Sequence, residues 1–153
     1  MNSTTALLIL HGLCAVALLG AITHQAASVL LPARRPAGSF AGRFRAVPAA
    51  SYANAIVLLY IVTGILGAIV YAEYRISVRT VIEQLEQRAA NGSFELKEHF
   101  AAIGLGLLPV YWHYWRAIEH SRARTAVTVL LAFIVWWSFL VGHVVNNIRG
   151  FGG

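Results

Sequence analysis

The stretch EHFAAIGLGLLPVYWHYW, residues 98–115, is long and apolar enough to predict a membrane-spanning helix, yet it carries two histidines fourteen positions apart. Three further apolar runs, at about residues 5–31, 52–74 and 125–146, have a similar length. A helix needs roughly 20 residues to cross the hydrocarbon core of a bilayer. With the quoted stretch counted as a span over about residues 99–117, the sequence predicts four transmembrane helices.

The composition supports an integral membrane protein. Of the 153 residues, 58% are hydrophobic and only 12% are charged, and the mean hydropathy is +0.66. A soluble domain has about a quarter of its residues charged. We therefore predict an all-α integral membrane protein, a single domain over residues 1–153 with four transmembrane helices in an up-and-down bundle.

The first apolar run is interpreted as a retained helix rather than a cleaved signal peptide. Its leading segment, MNSTT, has no Lys or Arg, and its apolar part is longer than that of a typical signal.

The net charge of +6 is concentrated between the apolar runs. The first connection, PARRPAGSFAGRFRAVP, has four arginines and no acid, and the third has three arginines and one glutamate. By the positive-inside rule these connections are cytoplasmic, so both termini lie outside. The charge thus indicates orientation in a bacterial-type inner membrane, with a lipid bilayer and not a nucleic acid as the partner.

The second connection, RISVRTVIEQLEQRAANG, has apolar residues at helical spacing with charges between them. We expect an amphipathic helix over about residues 75–90, which either extends the second span or lies on the outer membrane surface. Asn91-Gly92 is predicted to end this helix, and Ser93 to cap the third span.

Histidines are the polar residues that need explanation, because ionisable groups in hydrocarbon are costly unless they face the bundle interior. The first and third spans run in the same direction, so their histidines fall at two depths, about 20 Å apart at 1.5 Å per residue. The fourth span runs the opposite way, which returns its histidine to the outer depth. The five histidines in spans are His11, His24, His99, His113 and His143, and His120 lies in the third connection.

The positions of its two histidines around the helix favour the third span as a source of two haem ligands. The fourteen-residue separation of His99 and His113 falls about 40° short of four turns, so the two share a helix face. Ala102 and Gly106 lie on that face between them, where small side chains leave room for flat macrocycles or for close helix packing.

The first span fits this pattern less well. The thirteen-residue separation of His11 and His24 falls about 140° short of four turns, so these two point to different faces. The predicted inner pair is therefore His24 with His113. The predicted outer pair is His99 with either His11 or His143.

Two pairs of imidazoles at two depths suit two low-spin haems b, each with one histidine on either side of the iron. Two axial imidazoles leave no open coordination site, which favours electron transfer over oxygen chemistry. Cys14 is the only cysteine, so the haem is held by side-chain ligation alone. Possible partners for the haem propionates are Arg34, Arg35 and Arg116 at the inner level and Arg75 and Arg149 at the outer level.

In its four-helix plan and its histidine spacing, the chain resembles the di-haem cytochromes b, whose core carries paired histidines at this spacing on each of two helices. The resemblance implies a cytochrome b subunit that carries electrons between the quinone pool and an outer-side redox protein or dehydrogenase subunit. Such a subunit works as part of a larger complex.

Two other classes of function are compatible with the same residues. In a haem-free structural or assembly subunit, the histidines would serve packing and lipid contacts, and the arginines would only set topology and reach the headgroups. In a transporter, the histidines would carry protons or a metal. No predicted span has an acidic residue near its centre, which argues against transport.

Overall fold

The protein is a bundle of long helices in the computed structural model, which describes residues 3–30, 40, 49–117 and 122–151. The prediction of an all-helical chain is confirmed. The elements, in chain order, are α1 (Ser3–Leu30), α2 (Ala49–Glu73), a π-helical turn (Tyr74–Val78), α3 (Arg79–Gln84), α4 (Arg88–Arg116) and α5 (Arg122–Phe151).

The four long helices pack as a ring. Helix α1 contacts α2 and α5, and α4 also contacts α2 and α5, so that α1 and α4 lie diagonally opposite. Helices α2 and α4 are antiparallel: Trp112 donates from Nε1 to Asn54 Oδ1 at 2.8 Å, whereas Phe94 stacks on Tyr74 near the other end, with ring centroids 3.9 Å apart. Helix α1 is likewise antiparallel to both of its neighbours, α2 and α5. It therefore runs in the same direction as α4.

The interior of the ring is filled by side chains from all four helices. The largest fully buried ones include Ile22, Ile56, Tyr111, Leu131 and Ile134. Because lipid tails are as apolar as these side chains, close packing and hydrogen bonds hold such helices together.

Gly104 shows how close this packing is. A Cβ atom at Gly104 would overlap the hydroxyl of Tyr60 and lie 3.1 Å from Cγ2 of Ile134. The Tyr60 hydroxyl donates to the carbonyl of Ala101 at 2.9 Å. The missing side chain at Gly104 therefore lets α2 and α5 approach α4 on the same turn.

Three helical segments of the described chain have the length and apolar composition to cross a membrane: Ser3–Leu30, Ser51–Gln84 and Arg122–Asn147. Helix α4 is not one of them, although it has 29 residues. The predicted span 99–117 lies almost wholly within α4, but its histidines, Pro109 and the polar groups of its tyrosines and tryptophans reduce its hydropathy. Helix α4 is thus a full member of the bundle with a weaker apolar character than the three segments that could cross a membrane, and the predicted bundle of four spans stays a prediction.

The connection between α2 and α4 differs from the prediction in where one helix ends and the next begins, and the amphipathic character expected over residues 75–90 stays a prediction. The chain stays helical from α2 through α3 and turns at Glu86, which has a left-handed φ of 53°. Helix α4 begins at Arg88, so Asn91-Gly92 lies inside a helix and Ser93 does not cap one. These two predictions are wrong, because the turn at Glu86 fixes the start of α4, and Asn and Ser are tolerated inside a helix although they favour it only weakly.

Candidate functional site

The five histidines of the helices lie toward two ends of the bundle. At the end that we call the His24 end, Nδ1 of His24 is 3.1 Å from the hydroxyl of Tyr52. His113 lies at this end too, because the adjacent Trp112 bonds to Asn54, two residues after Tyr52.

The opposite end, which we call the His11 end, holds the other three histidines. Nδ1 of His11 is 3.1 Å from the carbonyl oxygen of Thr63, in the half of α2 that leads to Tyr74, which stacks on Phe94 of α4. His99 lies five residues after Phe94 in α4. His143 lies between Val141 and Val145, which pack with Phe94 and Tyr74 at this end.

Both histidines of α1 are turned toward α2. His11 is half-buried, and a Cβ atom at Gly67 would lie 3.1 Å from its Cε1 atom, so any side chain at position 67 would crowd the imidazole. His24 is also half-buried and meets the Tyr52 ring edge-on, with centroids 5.5 Å apart.

Both histidines of α4 are turned out of the ring. A line of exposed residues with alternating spacings of four and three runs along this side, and we call it the outward seam: His99, Ile103, Gly106, Val110 and His113. The buried side of α4 is offset by five positions, or about 140° around the helix. It consists of Gly104, Leu108, Tyr111 and Trp115, which are buried against the other helices.

The ring nitrogens of His11 and His99 are oriented by the backbone. Nδ1 of His99 is 2.8 Å from the carbonyl oxygen of Glu95, and Nδ1 of His11 is bonded to the Thr63 carbonyl. A carbonyl only accepts, so in each case Nδ1 donates the proton, and in the neutral ring Nε2 presents a lone pair. This is the arrangement in which metal-binding histidines are held in proteins.

A buried polar cluster at the His24 end was missed from the sequence. The hydroxyl of Tyr111 donates to Oε1 of Gln25, and both side chains are buried. Trp115 donates from Nε1 to Oγ1 of Thr128 at 2.9 Å, and the Arg124 guanidinium lies 5.0 Å from the Trp115 ring centre. The available signal was the occurrence of Gln25 and Thr128 at interior positions of apolar helices.

Two of the predicted propionate partners have described side chains. Arg116 is exposed at the His24 end, and its guanidinium lies 4.1 Å over the Trp112 ring. Arg75 is exposed in the π-helical turn, beside Tyr74 at the His11 end. Of the residues singled out from the sequence, Arg34, Arg35, His120 and Arg149 have side chains outside the described set.

The described residues of one chain do not oppose two imidazoles across a space for a haem. His24 is turned toward α2, whereas His113 lies on the side of α4 that faces away from the ring. The interior between α1 and α4 is occupied by side chains such as Ile22 and Tyr111. The pairing of His24 with His113 within one chain therefore has no support in this geometry.

The described residues do not bring the predicted outer pair of imidazoles together either. His99 is exposed on α4, whereas His11 is turned toward α2. His143 is exposed at the same end, with its Nε2 accepting from Nδ2 of Asn147 at 3.1 Å. Within the described residues no three side chains of His, Cys, Asp or Glu come together as a metal site, although a haem with two axial imidazoles does not require one.

No family model matches the sequence, and neither a curated protein nor a solved structure is a significant match.

Proposed function

We propose that this chain is a membrane-embedded b-type cytochrome subunit that carries electrons between a partner redox protein and the quinone pool. Three helices long and apolar enough to cross a bilayer support the membrane location. The observation that carries the proposal is the backbone anchoring of His11 and His99 at one end of the bundle, which leaves Nε2 of each imidazole available to a metal.

Haem b, when bound, supplies a one-electron redox centre. The candidate axial ligands are those predicted from the sequence, with His11 and His143 as alternatives at one level: His24, His113, His99, His11 and His143. Arg116 and Arg75 are exposed at the two ends of the bundle, where propionates reach the membrane surface.

The topology proposed for the chain places α3 and the start of α4 on the outer side, with both termini, in a bacterial-type inner membrane. Exposed charged residues there offer a surface to an outer-side redox protein or dehydrogenase subunit: Glu83, Glu86, Arg88 and Glu95. Arg79 ties this surface together, with its guanidinium 2.8 Å from Glu83 and 3.2 Å from Glu95.

The test is a reduced-minus-oxidised visible spectrum of the full chain, purified in mild detergent, together with a haem assay per chain. We expect a b-type signal that His99→Leu and His113→Leu each reduce. The matched control is Ile103→Leu, on the same side of α4, which should leave the signal unchanged. Separate His11→Leu and His143→Leu variants show which of the two supports the haem at their level.

A protein made with ample haem that shows no b-type signal would rule the proposal out. It would favour the second candidate, a haem-free structural or assembly subunit. The filled interior of the ring supports that alternative, because Ile22, Ile56 and Tyr111 pack without a space for a cofactor. In that case the histidine variants would change only packing and assembly.

A further inference from the structure

Three side chains on the outside of the bundle form a connected row across α2 and α4 at the His24 end. Nε1 of Trp112 donates to Oδ1 of Asn54 at 2.8 Å, and the guanidinium of Arg116 lies over the Trp112 ring, 4.1 Å from its centre. All three side chains are exposed. We call Asn54, Trp112 and Arg116 the exterior row.

The exterior row presents hydrogen-bond donors to its surroundings. An indole N–H only donates, so its bond fixes the Asn54 amide with Oδ1 toward Trp112. Nδ2 of Asn54 then keeps two protons for a partner outside the row. The guanidinium of Arg116 also only donates. The row therefore suits an anion with several acceptor oxygens.

Arg116 is positioned for such an anion. Its contact with the Trp112 ring is a cation–π interaction, which holds the planar guanidinium in place. Arg79 and Lys97, near the other end of the bundle, each pair with a glutamate, whereas Arg116 pairs with no carboxylate in the described part of the chain. A guanidinium donates two parallel hydrogen bonds to a phosphate group.

The distribution of charge supports an anionic ligand at this end. Arg122 and Arg124 begin α5 beside the end of α4, since the Arg124 guanidinium lies 5.0 Å from the Trp115 ring centre. The carboxylates of the described residues lie at the His11 end: Glu73, Glu83, Glu86, Glu95 and Glu98. The His24 end thus has a positive field, and basic sites between membrane helices bind anionic lipid headgroups.

Toward the middle of the bundle, the exterior row continues into exposed apolar surface. On α2, Leu58 and Ile61 follow Asn54 and are 63% and 39% exposed. On α4, Leu105 is 53% exposed and lies two turns from Trp112 on the same side of the helix. Guanidinium, indole and aliphatic side chains therefore succeed one another in the order of headgroup, interface and acyl chain in a bilayer.

We infer that the exterior row is a binding site for an anionic phospholipid. Arg116 and Nδ2 of Asn54 hold its phosphate, and an acyl chain lies along the aliphatic side chains that continue the row. A soluble anion would gain nothing from those side chains. The site does not depend on the cytochrome function, and it is an alternative to the propionate role of Arg116, because one guanidinium cannot serve both.

The first arm of the test measures thermal unfolding of the full chain in a non-ionic detergent, because a ligand of the folded state raises the midpoint. Phosphatidylglycerol should raise it at lower concentrations than phosphatidylcholine. Arg116→Gln should increase the phosphatidylglycerol concentration for half the effect by about tenfold. Arg122→Gln, the matched control, removes one charge from the same end and should change that concentration little. Equal changes would mean a diffuse attraction and would overturn the inference.

The second arm separates ligand binding from structure. Asn54→Asp keeps an acceptor for Trp112 and the size of the side chain, but it replaces the Nδ2 donor with a negative charge. The midpoint without lipid should stay close to that of wild type, while the response to phosphatidylglycerol should be lost. A wild-type response in Asn54→Asp would refute the site.

The third arm identifies the source of the phosphate and its place on the protein. Inorganic phosphate should not raise the midpoint, and a rise that Arg116→Gln removes would make the row a site for the free ion and defeat the lipid assignment. Phosphatidylglycerol with a photoreactive diazirine in the upper part of an acyl chain should label residues 54–61 and 105–112. Labelling confined to α1 and α5 would contradict the inference.

Discussion

Helices α1 and α4 carry histidine pairs of nearly equal spacing, thirteen and fourteen residues, and they run in the same direction, yet they present these pairs to opposite surroundings. The imidazoles of α1 are turned toward α2, whereas those of α4 leave the ring. The better-phased pair is the outward one. A shared face on a helix therefore indicates only that two side chains point the same way, and the neighbouring helices determine whether that face is inside the bundle.

The largest expected effect separates the two sides of α4. Gly104→Ala should destabilise the bundle by about 1–3 kcal/mol, because the added methyl group overlaps Tyr60 and crowds Ile134. Gly106→Ala, two residues on, should leave stability unchanged or raise it by up to about 1 kcal/mol, because the methyl group meets open space and alanine favours a helix.

Unfolding of the two variants by denaturant in the same detergent measures this difference. Equal destabilisation by the two substitutions would mean that the outward side of α4 is packed within the chain, and it would remove the distinction between the two sides.

A second expected effect concerns the polar contact beside His24. Tyr111→Phe removes the donor to Gln25 and leaves a buried amide without its partner. The expected cost is about 1–3 kcal/mol, seen as a lower thermal unfolding midpoint. Tyr114→Phe is the control, on a less buried position of the same helix. A Tyr111→Phe midpoint equal to that of wild type would show that Gln25 finds another donor.

Gly67→Ala tests how tightly His11 is held against α2. Its new Cβ atom would lie 3.1 Å from Cε1 of His11, so crowding offsets the gain in helix propensity of up to about 1 kcal/mol. Gly64→Ala, one turn earlier in the same helix, has open space and should keep that gain. Gly67→Ala should therefore be the less stable variant in parallel unfolding curves, and the reverse order would place the imidazole elsewhere.

The smallest expected effect is that of His99→Leu on the stability of monomeric, haem-free chains. His99 is exposed and its hydrogen bond is to its own helix, so the change should stay within about 0.5 kcal/mol. His11→Leu should cost about 0.5–1.5 kcal/mol, because it loses the bond between α1 and α2. Measurement in a detergent that separates the chains is essential, and equal losses would mean that His99 contacts the bundle.

The helices themselves could be predicted because apolar runs of membrane length are an unambiguous signal, and each predicted span lies within or nearly within an observed helix. The start of α4 could not, because it depends on the left-handed backbone at Glu86, a residue with no intrinsic preference for that conformation. The Asn91-Gly92 pair was the stronger local signal for a helix end, but the packing of the helices outweighed it.

The candidate site was predictable only in part. Spacing alone grouped His99 with His113, but the direction of that face depends on which side of α4 receives Tyr60 and Ile134. The periodicity does not reveal this, because both sides of α4 have packing steps of four and three. The contact between Gln25 and Tyr111 joins residues 86 positions apart, a separation that no local pattern encodes.

Glu95 serves two neighbours with two different groups. Its carboxylate holds Arg79 of α3, while its backbone carbonyl holds the imidazole of His99. Because every amino acid supplies a carbonyl, the direction of His99 is independent of the side chain at position 95. Evolution can therefore change the charged surface around α3 without changing the direction of the imidazole one turn away.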